Sequence, residues 1–60
     1  MRKIKVLFLN GTSEDFNHHD WRMDFKINID WVEIYAINGL KENIKIAAFN
    51  REAVIGIKGY

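Results

Sequence analysis

The apolar positions of this chain recur mostly at every second residue. In KIKVLFL (residues 3–9), Ile4, Val6 and Phe8 alternate with Lys3, Lys5 and Leu7, and this period predicts a β-strand. The Asn10-Gly11 pair then breaks the run, because both residues tolerate a positive φ. FKINID (residues 25–30) alternates strictly, with Phe25, Ile27 and Ile29 on one face and Lys26, Asn28 and Asp30 on the other. It reads as a half-buried strand. WVEIYAIN (residues 31–38) carries two signals. Asp30, Glu33 and Gly39 have the spacing of a helical capping box and terminator, whereas Val32, Ile34, Tyr35 and Ile37 favour a strand. The segment is short, and a strand is expected.

NIKIAAF (residues 43–49) and AVIGIKGY (residues 53–60) complete the set, joined by a tight turn through Asn50, Arg51 and Glu52. Pairing Ile37 with Ile44, Tyr35 with Ile46, Ile34 with Ala47 and Val32 with Phe49 gives a register that is apolar on both faces. This requires the longer connection through Asn43 rather than a two-residue Asn38-Gly39 turn.

The expected fold is therefore all-β. It is a single domain over residues 1–60, a small antiparallel sheet or SH3-like barrel of about five short strands. A long loop over residues 11–24 separates the first strand from the second. Sixty residues bury only roughly 60% of the surface that the unfolded chain exposes, so such a core is marginal. Strands that are apolar on both faces need either closure into a barrel or a second chain, and a homodimer is expected on that ground.

Composition narrows the functional classes. There is no cysteine, which removes disulfides, zinc ribbons and thiol nucleophiles and fits a reducing, cytoplasmic setting. The longest apolar run near the start, residues 6–9, is far too short for a membrane span, so no membrane role is expected. A net charge of +1 does not mark the whole chain as a nucleic-acid binder. The charge is nevertheless uneven. Residues 1–9 carry Arg2, Lys3 and Lys5 without an acid, and residues 11–24 carry Glu14, Asp15, Asp20 and Asp24 against Arg22 alone. Abundant isoleucine, asparagine and lysine with no proline is a bias common in AT-rich genomes, including those of low-GC bacteria and their phages.

The segment GTSEDFNHHDWRMD (residues 11–24) holds the candidate chemistry. In an extended stretch His18 and Asp20 point the same way, but a zinc site needs three or four ligands and no metal template accompanies them, so no metal or other cofactor is expected. Ser13 is the sole serine and lacks both a nucleophile elbow and a scaffold to orient a base, so no catalytic residue is expected. Phe16 and Trp21 among acids resemble interface anchors, because tryptophan buries a large area with few rotatable bonds. Glu14, Asp15, Phe16, His18, Asp20, Trp21 and Arg22 are thus the expected partner-binding residues. The opposing arrangement has Phe16 and Trp21 folded back to plug the core.

The expectation is a non-enzymatic protein-binding module, in form a small phage-type regulator or inhibitor that occludes a basic surface on another protein. The alternative is nucleic-acid binding through aromatics such as Phe8, Phe25, Trp31, Tyr35, Phe49 and Tyr60, with Lys3, Lys5, Lys26, Lys45 and Lys58 meeting phosphates.

Overall fold

Six strands form: β1 (Lys3–Phe8), β2 (Ser13–Asn17), β3 (Arg22–Ile27), β4 (Trp31–Ile37), β5 (Asn43–Asn50) and β6 (Val54–Gly59). A one-turn 3-10 helix, Arg51–Ala53, joins the last two. The computed structural model describes all sixty residues. The strands make two three-stranded antiparallel sheets, ordered β2-β1-β6 and β3-β4-β5. No helix is long and apolar enough to cross a membrane.

Period-2 alternation explains the layering. Ile4 and Val6 of β1, Met23 of β3, and Val32, Ile34 and Ala36 of β4 are the six buried residues, and they meet between the sheets. β1 and β4 are the central strands, so their inward side chains are covered from both sides. At one end of β1 the Met1 carbonyl accepts the Met23 N–H at 2.8 Å, and at the other Phe8 packs edge-on against Phe49 at 5.0 Å. β1 thus reaches from β3 to β5 and ties the two sheets together.

The all-β expectation holds, and residues 31–37 form a strand rather than a helix. Residues 11–24, expected as one long loop, instead fold into β2 and the start of β3. The pairing Ile4 to Phe16 and Lys5 to Asp15 explains why. An edge strand is covered on one side only, so a single inward anchor, Phe16, suffices, and charged neighbours are tolerated at the edge. The third strand also starts and ends three residues earlier than its alternation suggests. Asn28 turns the chain, with Asn28 N–H donating to the Trp31 carbonyl at 2.9 Å, and leaves Ile29 86% exposed.

The β4–β5 register agrees with expectation at Val32–Phe49 and Ile34–Ala47. Beyond these it shifts by one residue, so that Tyr35 faces Lys45 and Ile37 faces Asn43. Ile46 is the extra residue of this bulge. The shift places Lys45 beside Glu33 and Tyr35 on the outer face, which adds polar contacts that an unshifted ladder would lack.

Each of the five connections is closed by a side-chain acceptor of backbone N–H groups. Asn10 Oδ1 takes Thr12, Asn28 Oδ1 takes Trp31, Asn38 Oδ1 takes Leu40 and Glu42, and Asn50 Oδ1 takes Glu52. Gly11 adopts φ +87° in the first of them. The chain has no proline to preset its turns, and the asparagine carboxamides hold them by accepting backbone N–H groups instead. The fifth acceptor is His18.

Candidate functional site

β2 and the turn after it carry all seven residues singled out from the sequence, together with the first position of β3. β2 has β1 on one side and no strand on the other. In an antiparallel pair, alternate residues direct their N–H and C=O groups away from the partner, so β2 presents an unpaired main-chain edge. Glu14 and Asp15 are exposed along it. The Asp15 carboxylate lies 3.6 Å from the Lys3 ammonium, an exposed ion pair of small energetic weight. Glu14 makes no ion pair.

Phe16 and Trp21 are half-buried against the core cluster. The Phe16 ring lies 5.8 Å from Phe49, so β2 is pinned to β5 across the gap between the sheets. Trp21 stacks on His18 at 4.6 Å with planes 14° apart, and His18 stacks in turn on His19 at 4.9 Å. Both rings thus pack against the core cluster on one side and remain half exposed on the other.

His18 Nδ1 accepts the backbone N–H groups of Asp20 and Trp21, each at 3.1 Å. Its proton then resides on Nε2. The ring is therefore a turn-closing group, and its stacking on Trp21 fixes the entry to β3. His19 and Asp20 are exposed and 3.0 Å apart. Arg22 opens β3, exposed and opposite Ile37. No three His, Asp or Glu side chains converge in the geometry of a metal site. Ser13 begins β2 opposite Leu7, at the far end of the strand from His18.

One feature lay outside the sequence reading, and a second groups four residues named there for the nucleic-acid alternative. On the outer face of the second sheet, Glu33 accepts from Tyr35 Oη at 2.7 Å and pairs with Lys45 at 2.9 Å. The Tyr35 hydroxyl and the Lys45 ammonium hold the Glu33 carboxyl below its ordinary range, and the same carboxylate raises both Tyr35 and Lys45. On the outer face of the first sheet, Lys3, Lys5, Lys58 and Tyr60 come together. The alternation of Lys3 and Lys5 was visible in the sequence. That Lys58 faces them depends on pairing the last strand with the first. No protein-family model matches the chain, and no curated protein or solved structure matches it either.

Proposed function

We propose that this chain is a non-enzymatic protein-binding module that engages an extended, basic segment of a partner along β2. The observation that carries the reading is the unpaired β2 edge with Glu14 and Asp15 exposed on it and Asp20 just beyond. Strand addition supplies main-chain hydrogen bonds, and side chains on alternate positions supply selectivity. Acids on an edge repel most incoming strands, so a lysine- or arginine-bearing segment is the one that gains by pairing there. Phe16, His18 and Trp21 hold this edge to the rest of the fold, while Glu14 on one face and Asp15 on the other flank an added strand, with Asp20 and Arg22 beyond its end.

A module of this size acts by occupying a surface, in the manner of a small phage-type regulator or inhibitor working in the cytoplasm. Self-association belongs to the same reading. β5 is an edge strand of eight residues with Ile44 and Ile46 exposed, and pairing it with a second copy covers both.

The test is affinity capture on the immobilised chain, with Glu14→Gln/Asp20→Asn as the comparison. Retention of one defined protein that withstands nuclease, with a slower on-rate and flatter salt dependence for the variant, supports the reading. Retention that is equal for both proteins removes the acidic edge from the functional account.

A further inference from the structure

Lys3 and Lys5 flank the fully buried Ile4 on β1, so both ammonium groups leave the outward face of the first sheet, about 7 Å apart along the strand. The antiparallel β1–β6 register then sets Lys58 directly opposite Lys5. Like charges opposite each other in a ladder are destabilising. Neither Lys5 nor Lys58 has a carboxylate within ion-pair distance, and the one ion pair on this face is Lys3 with Asp15.

Tyr60 lies among these cations. Its backbone is fixed by two 2.8 Å hydrogen bonds, Tyr60 N–H to the Lys3 carbonyl and Arg2 N–H to the Tyr60 carbonyl. Its ring centroid is 5.0 Å from the Lys58 ammonium and 5.7 Å from that of Lys3. The residue remains 53% exposed. Gly56, opposite Leu7, adds no side chain to the neighbouring rung.

We propose that this face binds single-stranded nucleic acid, with a base stacked on Tyr60 and backbone phosphates held by Lys3, Lys5 and Lys58. An exposed ring set between cations is the combination that single-strand binders use, since every base has a face to stack and every nucleotide a charge to neutralise. A phosphate bridging Lys5 and Lys58 removes the repulsion that the bare face carries. An acidic peptide or an anionic bilayer satisfies the lysines but offers no regular planar partner for Tyr60. This face meets the β2 edge at the Lys3–Asp15 ion pair, and the inference does not depend on protein binding along that edge.

The experiment is fluorescence anisotropy of a labelled oligothymidylate with the full chain, over a range of salt concentrations. Lys5→Gln/Lys58→Gln is expected to weaken binding on the order of tenfold and to make the log–log salt slope shallower by about 1.4, from roughly 0.7 for each of two phosphates no longer neutralised. Tyr60→Ala is expected to weaken binding about tenfold, while Tyr60→Phe retains it. The melting temperature of the double-Gln variant should stay level or rise, because a repulsive pair has been removed. Absence of binding by the unaltered chain at low salt overturns the proposal, as does unchanged binding by the double variant. A fall in its melting temperature assigns the lysines to the fold and overturns it too. Displacement of the oligonucleotide by polyglutamate or anionic vesicles at equal charge concentration shows a general anion surface and overturns the assignment to nucleic acid.

Discussion

The Glu33 carboxylate bridges Tyr35 on its own strand and Lys45 on the next, at 2.7 and 2.9 Å, across the outer face of the second sheet. Hydrogen bonding from Tyr35, then from Lys45, lowers the Glu33 pKa in the folded chain. A lowered carboxyl stabilises the fold above its ordinary value of 4.5, and that contribution disappears as pH falls through the depressed folded value. Tyr35 and Lys45 are raised, chiefly by hydrogen bonding to Glu33, so their contributions hold below the ordinary values of 10.0 and 10.5 and are lost at more alkaline pH. Urea denaturation across pH should therefore give a stability plateau between acid and alkaline limbs. Glu33→Gln should flatten both limbs, and limbs unchanged in that variant contradict this account.

Phe16 and Trp21 pack against the core cluster, so removing either is expected to cost stability. Phe16→Ala and Trp21→Ala should each destabilise the fold by about 2–3 kcal/mol, less than a fully buried aromatic because both are half-exposed. The Phe16 change unpins β2 from Phe49 and should raise amide exchange across residues 13–17. Equilibrium denaturation measures the first effect and hydrogen exchange the second. An unaltered melting curve for Trp21→Ala, with partner binding abolished, makes the ring an interface anchor instead.

The β5 edge predicts concentration-dependent assembly. Sedimentation equilibrium at micromolar concentration should give twice the 7.1 kDa chain mass. Ile46→Lys adds a charge at the bulge of an exposed edge, and it should yield a monomer whose dilute-solution melting temperature is unchanged. A monomeric parent chain with cooperative unfolding removes the dimer.

The central strands were legible in the sequence because both flanks of each are covered, so burial enforces alternation along Ile4–Val6 and Val32–Ile34–Ala36. β2 was not, since an edge strand needs one anchor and its remaining residues read as loop. The β4–β5 bulge was hidden for another reason. A continuous register through Ile46 satisfies apolar pairing, and only the Glu33–Tyr35–Lys45 contacts distinguish the shifted one. Of the seven residues expected to meet a partner, the acids and Arg22 are exposed as their polarity suggests. Whether Phe16 and Trp21 face inward depends on Phe49 and on the core beneath them, which no local pattern encodes. The lysine pair across β1 and β6 joins residues 53 positions apart and exists only through topology.

Four of the five connections are closed by an asparagine amide. The fifth is closed by an imidazole that does two jobs at once. His18 Nδ1 accepts both the Asp20 and the Trp21 N–H groups, and the same ring stacks on Trp21. That connection carries β2 into β3, so a single side chain couples the acidic edge of one sheet to the first strand of the other. Loss of that ring releases two hydrogen bonds and a stacking contact together and leaves the other four connections closed.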